Sequence, residues 1–390
     1  MTRARRLGLA VGLALTITLL VLLQNDPLVA GHPNWSRPWD HQKYLFMAEH
    51  PFELRLAPFS WRILGPFVAG LLPFGLAASF RLVAVASVAG TAVVLFVLLR
   101  RRGHAPHLAL AGMLAFLSIG WVTGYPLYNS WLPDALAFLF VALAVLAAHE
   151  RRPVAFAAVL VAGVLTRETV LFVAPLWYGL HAARLIDRKL LAQAVGLALP
   201  ALAAVVAVRL ALPADNTDPS YLAELDLSLN EWDTRSTDPL SLFELFGEPV
   251  RLRWWPVLVS AWVGGAFDTL PLLALFAWRR NLVTALRWSP FLVLVAAQPL
   301  FAANTFRLIA LAFPLVVIVA VDGLAALQRR LGLDDAWVVA VPGALVVADL
   351  LVPGNAIWLV PELFLVAGVL AVGWWTGTSR SAPQQAKIPG

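Results

Sequence analysis

The chain has no cysteine among its 390 residues, and only 13% of them are charged. The first absence excludes disulfide frameworks, thiolate nucleophiles and thiolate metal ligands. The second sets the chain apart from soluble proteins, in which about a quarter of the residues are charged. Two common nucleotide-binding motifs, the P-loop and the GxGxxG fingerprint, are also missing from the sequence.

Apolar sequence fills the chain instead. Hydrophobic residues make up 60% of it, and apolar runs recur from end to end, so no stretch remains for a sizeable soluble domain. A net charge of +6 would suggest nucleic acid as a partner of a soluble protein, but basic residues in a membrane protein first of all mark topology. The composition therefore predicts an all-α, polytopic integral membrane protein with no nucleic-acid partner.

Basic residues predict how the chain crosses the membrane. The start, MTRARR followed by an apolar run, has no strong cleavage site after it and predicts an uncleaved signal anchor. Later basic clusters, such as residues 100–102, 279–280 and 329–330, mark cytoplasmic ends of spans. This pattern predicts about twelve transmembrane helices with both termini in the cytoplasm. The predicted spans are residues 7–23, 79–99, 108–124, 135–149, 154–166, 169–183, 190–212, 254–277, 283–303, 307–327, 337–352 and 357–375.

On this topology residues 1–375 form a single transmembrane domain, and the polar residues 376–390 form a disordered cytoplasmic tail. Two large loops face outwards, residues 24–78 and the acidic residues 213–253. Within the first loop, the apolar segment 63–80 is interrupted by two prolines and a glycine. We therefore expect juxtamembrane or re-entrant helices there, rather than a further span.

Ionisable residues near membrane spans cost about 2.5–3.5 kcal/mol each on insertion scales, which makes each of them a functional candidate. Several lie at the outward ends of predicted spans, on the same side as Asp40: Arg62, Asp134, Arg167, Glu168 and Arg307. Arginine forks suit phosphate oxygens, and a nearby carboxylate can take a proton from a hydroxyl. The pattern predicts one outward-facing cavity that suits a lipid-linked phosphate.

Short motifs in these regions are similar to those of a known family. They are WDHQKYLFMA at 39–48, FSWRILGPFVAGLL at 59–72, WLPDALAFLFVALA at 131–144, VLTRETVLFVAPL at 164–176 and NTFRLIALAFP at 304–314. With an acid and a short aromatic helix in the first outward loop, the chain resembles the polytopic membrane glycosyltransferases of the GT-C fold. The resemblance runs to about residue 327. Enzymes of this family use polyprenyl-phosphate sugars as donors.

The resemblance implies that Asp40 is the general base that activates an acceptor hydroxyl, with inversion by a single displacement. Arg307, together with Arg62 or Arg167, would hold the departing lipid phosphate. The other residues implied in substrate binding are Asp134, Glu168, His41 and Tyr44. The implied partners are a polyprenyl-phosphate sugar and a lipid, glycan or protein acceptor, at the extracytoplasmic face of a bacterial-type plasma (inner) membrane.

The first loop departs from the family pattern, because His41 follows Asp40 where many members carry paired acids. The resemblance therefore gives no support for a divalent cation, and we expect no cofactor. His41 and His50 lack a convincing ligand partner and are more typical of loop histidines than of metal ligands.

Each candidate also has a structural interpretation. Asp40 and Asp134 stand where helices begin and are suited to capping them. Arg167 and Glu168 are suited to an ion pair that joins two short helices. Arg307, at the end of a span, is suited to snorkelling towards the interface.

Other functions remain open at this point. A secondary transporter also has many spans and intramembrane charges, and Asp268 in the middle of a predicted span, with Arg209, would favour it. A flippase or polymerase of lipid-linked glycans is a further alternative, although the large loop 213–253 is acidic. A scaffold role does not explain costly arginines at the ends of spans.

Overall fold

The computed structural model describes residues 2–25, 40–184, 186–213, 266–298, 305–351 and 359–380. Within these ranges 82% of the residues are helical and none is in a strand, so the prediction of an all-α protein is confirmed for the described part of the chain. The acidic loop from residue 214 onwards and the predicted tail beyond residue 380 lie outside these ranges.

The first part of the chain forms helices α1 to α10. They are α1 (Arg3–Asn25), α2 (His41–Glu49), α3 (Leu64–Leu71), α4 (Leu76–Arg101), α5 (Pro106–Leu117), α6 (Gly124–Tyr128), α7 (Asp134–His149), α8 (Pro153–Thr166), α9 (Leu176–His181) and α10 (Arg188–Ala211). Two 3₁₀ helices, Phe59–Trp61 and Glu168–Val173, lie between them.

The second part forms helices α11 to α16. They are α11 (Leu270–Leu273), α12 (Trp278–Ala297), α13 (Thr305–Ile309), α14 (Phe313–Leu331), α15 (Asp335–Leu351) and α16 (Leu359–Arg380). The 3₁₀ helices Ala274–Ala277 and Ala310–Ala312 connect neighbouring elements. Because α16 continues to Arg380, residues 376–380, which were predicted as part of the tail, are helical.

Four helical segments in the described ranges are long and apolar enough to cross a membrane: Ala4–Gln24, Leu76–Arg101, Arg188–Ala211 and Phe306–Leu331. A span needs roughly 20 predominantly apolar residues, and each of these segments is at least 21 residues long. Helices α5, α7 and α8 are also apolar but shorter. The structure is that of a helical membrane protein, while the number of twelve spans stays a prediction.

Several of the predicted spans are not continuous helices in the described ranges. In the predicted span 108–124, α5 ends at Leu117 and a turn separates it from α6. Residues 169–183 divide into a 3₁₀ helix and α9, with Pro175 preceding α9. In the predicted span 254–277 the described residues form a turn and the short α11, followed by a 3₁₀ helix. Asp268, predicted in the middle of that span, lies in the turn with a left-handed φ of 52°.

The first loop forms a small helical layer of its own. Helix α3 has eight residues, too few to cross a membrane. The non-helical residues 72–75 separate it from α4. Helices α2 and α3 pack closely at Gly70, where a β-carbon would come within 2.4 Å of the Ala48 carbonyl oxygen. Tyr44, Phe59 and Trp131 belong to an apolar cluster separate from the main core. This layer supports the segment that contains Asp40.

Helix α14 is the centre of the main core. Every residue from Phe313 to Leu327 is buried, as expected for a helix that is apolar on all sides and surrounded by other helices. Gly323 lets the chain at Leu273 approach most closely, since a β-carbon on Gly323 would lie 1.8 Å from the Leu273 carbonyl oxygen. The end of α11 is thereby held against α14.

We expect Gly323→Ala to lower the free energy of unfolding by about 1–3 kcal/mol, because the new methyl group meets backbone that has little room to move. The measurement is the unfolding midpoint of the detergent-solubilised protein in an SDS titration. Gly196→Ala in α10 is the matched control, because its β-carbon meets nothing within 4 Å. Equal midpoints for both variants would contradict the close packing of α11 on α14.

Candidate functional site

Asp134 is the centre of the candidate site. It is the first residue of α7 and has no exposed surface. Arg167 donates from Nη1 to one of its carboxylate oxygens, and Arg307 donates from Nη2 to the other. The two arginines come from the break after α8 and from α13, so three distant parts of the chain meet at this carboxylate.

These contacts correct three structural interpretations made from the sequence. Asp134 does not cap α7, because Pro133 occupies the cap position and no side-chain cap hydrogen bond is present. Arg167 pairs with Asp134 rather than with its neighbour Glu168. The side chain of Arg307 is only 14% exposed and reaches inwards to Asp134, so it does not snorkel.

A second ion pair lies beside the first. Arg62 follows the 3₁₀ helix Phe59–Trp61, and its Nε lies 3.3 Å from Oε2 of Glu168. The Nη1 of Arg62 also donates to the hydroxyl oxygen of Tyr44 at 3.2 Å. The other carboxylate oxygen of Glu168 is buried and accepts no hydrogen bond from the described part of the chain. That oxygen is therefore a candidate acceptor for a hydroxyl of a bound substrate.

Asp40 lies at the start of α2 but does not cap it, because its side chain accepts no backbone hydrogen bond there. The capping interpretation of Asp40 is therefore wrong. Its Oδ1 lies 3.5 Å from Nζ of Lys43, and its side chain is 34% exposed. Lys43 is almost fully buried, and its ammonium lies 4.2 Å from the centre of the Phe59 ring. The carboxylate thus faces solvent on one side and a buried cation on the other.

Lys43 was not among the residues predicted from the sequence. The usable signal was the spacing in DHQK, which puts an acid and a lysine on the same face of a helix at positions i and i+3. What the sequence does not show is the burial, which raises the strength of this contact above that of a surface pair.

His41 lies beside this pair and is partly buried, with its ring centre 6.2 Å from that of Trp131. Burial lowers the pKa of His41, and the Asp40 carboxylate opposes that shift. His41 is therefore neutral at pH 7.

Within the described ranges, no three or more His, Cys, Asp or Glu side chains are arranged to hold a metal ion.

Tyr44 lies close to both ion pairs and to Asp40. It is wholly buried, and Asp40, Arg62 and Arg307 all lie within its electrostatic reach. Burial raises the pKa of the Tyr44 phenol, so it stays protonated and can accept from Arg62 while donating elsewhere. Arg167 in turn lies within electrostatic reach of Arg62, Arg307 and Glu168.

The structure therefore brings the sequence-predicted residues together at one end of the bundle. We call this set the Asp134 cluster: Asp40, His41, Lys43, Tyr44, Arg62, Asp134, Arg167, Glu168 and Arg307. The cluster contains four cationic side chains, which are Lys43 and the three arginines. It contains three carboxylates, which are Asp40, Asp134 and Glu168. An excess positive charge in a site shielded from water favours an anionic ligand.

Aromatic rings lie on one side of Arg307. Its guanidinium is 5.9 Å from the centre of the Tyr125 ring, and Trp121 stacks on Phe306 at 5.5 Å. Trp121 also contacts Tyr125, with ring centres 5.0 Å apart. These rings were not predicted as site residues, since aromatic residues make up 11% of the chain and the sequence does not distinguish these from the others.

Arg209 lies outside the cluster. It is exposed at the end of α10, and its guanidinium is 4.3 Å from the centre of the Trp61 ring. Trp61 donates from Nε1 to the carbonyl oxygen of Leu212 at 3.1 Å, which holds α10 against the first loop. This role is structural and does not require transport.

Comparison with models of protein families finds no family that matches the chain. Comparison with curated proteins finds no sequence of significant similarity either. The geometry and the charge of the Asp134 cluster are therefore the best guide to what this protein binds.

Proposed function

We propose that the chain is a GT-C-like membrane glycosyltransferase with about twelve transmembrane helices. It moves a sugar from a polyprenyl-phosphate donor to a lipid, glycan or protein acceptor on the extracytoplasmic face of a bacterial-type plasma membrane. The observation that carries the proposal is the Asp134 cluster, in which arginines from three parts of the chain pair with Asp134 and Glu168. The partly exposed carboxylate of Asp40 lies within electrostatic reach of the same Tyr44 as Arg62 and Arg307.

The arginines support binding of a lipid phosphate. Asp134 holds Arg167 and Arg307 close together, which sets their planar forks side by side before any ligand arrives. Arg62 is fixed in the same way by Glu168 and Tyr44. Guanidinium groups that are already positioned lose little side-chain entropy when they bind phosphate, and they stabilise the charge that develops on it as it leaves.

Asp40 fits the role of the general base. Its carboxylate takes the proton from the acceptor hydroxyl as the acceptor oxygen forms a bond to the anomeric carbon. The bond from that carbon to the phosphate oxygen breaks in the same step, and the lipid phosphate leaves with the bonding electron pair. Attack from the opposite face inverts the anomeric centre. Nζ of Lys43 lies 3.5 Å from Oδ1 of Asp40 and would help to hold the carboxylate in position for the acceptor hydroxyl.

The surroundings suit the other parts of such a donor. The rings of Trp121 and Tyr125 present apolar faces beside Arg307, where a sugar ring would lie next to its phosphate. Phe67 and Leu71 of α3, which follow Arg62 in the chain, are exposed large apolar residues. A polyprenyl chain would lie along this surface within the bilayer, since lipid tails and these side chains are equally apolar.

The experiment that tests the proposal is sugar transfer by the purified full-length protein in lipid nanodiscs. Radiolabelled sugars on a panel of polyprenyl-phosphate donors are supplied together with extracted membrane acceptors, and the labelled product is separated from the donor. Transfer from a polyprenyl-phosphate donor, with inverted anomeric configuration in the product, is the expected result. The proposal would be overturned in favour of a transporter by two results together. No sugar would be transferred from any donor, and proteoliposomes would take up a solute with protons in a way that stops in the Asp268→Asn variant.

A further inference from the structure

A second group of charged residues surrounds Asp322, in the middle of α14 and far from the Asp134 cluster. Asp322 lies fifteen residues after Arg307 along nearly continuous helix, which corresponds to about 20 Å. Its wholly buried side chain has Arg280 at 3.2 Å, His104 at 3.3 Å and Arg102 at 3.8 Å. We call these four residues the Asp322 cluster.

Packing on α14 fixes the position of Arg280. Asn281, its neighbour in the first turn of α12, is buried and donates from Nδ2 to the carbonyl oxygens of Ala274 and Val319, at 2.7 and 3.1 Å. Gly323, which follows Asp322, receives the backbone of Leu273. The first turn of α12 is therefore held to α14 from two sides, and Arg280 is held at the end of α4.

Electrostatic contacts hold the cluster together, and several of its polar atoms lack hydrogen bonds. The buried Nε of Arg102, Nε2 of His104 and both carboxylate oxygens of Asp322 have no hydrogen-bond partner within the described ranges. Burial lowers the pKa of His104, and the two neighbouring arginines lower it further against the opposing effect of Asp322. His104 is thus neutral at pH 7, and two arginines share the single negative charge of Asp322.

Further basic residues extend the positive charge across the same end of the bundle. Glu150 is shared by two more arginines, with its Oε1 2.9 Å from Nε of Arg101 and its Oε2 2.8 Å from Nε of Arg152. Arg280 and Arg152 are more than half exposed, so both can reach a ligand at the surface. Two carboxylates face four arginines in this area, which leaves two positive charges in excess.

The surface beside Arg280 is apolar. Leu275, Trp278 and Leu282 are all more than half exposed, and they flank Arg280 in the chain on both sides. Exposed apolar side chains next to an arginine and an exposed tryptophan are typical of the boundary between hydrocarbon and headgroups. The first turn of α12 also carries the partial positive charge of a helix amino terminus.

We propose that Arg280 and Arg102 bind the phosphate headgroup of an anionic phospholipid at this end of the bundle. Arg280 contacts the phosphate from the surface. Arg102, behind it, contributes charge and the donor that lacks an acceptor. Asp322 is the internal anion that holds the two guanidiniums near each other while no lipid is bound. The acyl chains lie against Leu275, Trp278 and Leu282. The binding of a phospholipid here does not depend on the proposed glycosyltransferase activity.

The test is native mass spectrometry of the full-length protein, released from micelles that contain equal amounts of phosphatidylglycerol and phosphatidylcholine with matched acyl chains. The wild type is expected to retain phosphatidylglycerol in preference. Arg280→Gln is expected to reduce that preference about fivefold, the effect of one basic residue near an anionic headgroup. Arg330→Gln is the matched control, because Arg330 is an exposed arginine in the last turn of α14 and does not belong to the Asp322 cluster.

Three outcomes would overturn the proposal. The first is equal retention of both lipids by the wild type, a measurement that needs no variant to fold. The second is an equal loss of preference in Arg330→Gln and Arg280→Gln, which would indicate a general surface charge. The third is displacement of the lipid preference by millimolar inorganic phosphate, which would assign the site to a soluble phosphate instead. Arg280→Lys, which keeps the charge, is expected to retain most of the preference.

Discussion

Asp40→Asn is expected to reduce the rate of sugar transfer by about 100- to 10,000-fold, the usual contribution of a general base. Asparagine has nearly the same shape as aspartate but cannot take a proton from the acceptor hydroxyl. The Asp40 side chain is 34% exposed and makes no capping hydrogen bond, so the substitution removes no cap from the start of α2. Because Asp40 is also the counterion of the buried Lys43, the unfolding midpoint is measured beside the rate, and a loss of rate at an unchanged midpoint reports chemistry.

The separation of kcat from KM makes the test sharper. A base acts in the transition state, so kcat is expected to fall while the KM for the donor changes little. Glu53→Gln is the matched control, because Glu53 is an acid of the same loop whose side chain is 66% exposed and pairs only loosely with His50 at 3.8 Å. Glu53→Gln is expected to leave both constants unchanged.

Equal transfer by wild type and Asp40→Asn would contradict the assignment of the base. Glu168 would then be the next candidate, since one of its carboxylate oxygens is buried without a hydrogen-bond donor from the described residues. Asp134 is a poorer choice, because both of its oxygens already accept from arginines. The structure thus ranks two carboxylates that the sequence alone left equal.

The gathering of the site could be predicted from the sequence because charge is so scarce in it. Where nearly every span is apolar, an arginine or an acid at a span end has few places to go other than towards another such residue. Arg62, Asp134 and Arg307 were placed on one side of the membrane by topology alone, and they lie in one cluster. The pattern predicted membership of the site, which is a coarse property.

The partners within the site could not be predicted, because they depend on local backbone geometry. Arg167 and Glu168 are adjacent, and a mutual ion pair was a reasonable prediction. Helix α8 ends at Thr166, however, and Arg167 has extended backbone with φ −161° and ψ 127°. Extended backbone sends successive side chains in opposite directions. Arg167 consequently meets Asp134, 33 residues before it in the chain, and Glu168 meets Arg62.

Asp322 shows what the sequence offered but our prediction did not use. It is a single acid in the run FPLVVIVAVDGLAAL, and an acid in so apolar a helix is by itself a signal for a buried cationic partner. Its partners Arg102 and Arg280 had been interpreted only as topology signals at cytoplasmic turns. The same arginine can mark the end of a span and pair with a buried carboxylate, and the composition does not distinguish the two roles.

Asp134→Asn is expected to lower the free energy of unfolding by about 3–5 kcal/mol, the cost of removing one partner from a buried ion pair. The side chain is wholly buried, and its carboxylate is the negatively charged partner of two guanidinium groups. Without the carboxylate, Arg167 and Arg307 repel each other at a site where both side chains are largely shielded from water. The unfolding midpoint in an SDS titration of the detergent-solubilised protein measures the effect.

Asp335→Asn is the control, because the Asp335 carboxylate also contacts a nitrogen-bearing side chain, with Nδ1 of His107 at 3.0 Å, but is 68% exposed. Exposed pairs contribute about 0–1 kcal/mol, so the midpoint of this variant is expected to stay near that of the wild type. If Asp134→Asn does not fold, the double variant with Arg167→Gln removes one of the two stranded charges and is expected to recover part of the loss. A loss in Asp134→Asn no larger than in Asp335→Asn would show that the carboxylate is not the anchor of the cluster. The positions of Arg167 and Arg307 would then need a different explanation, and with them the preformed phosphate site on which the proposed transfer depends.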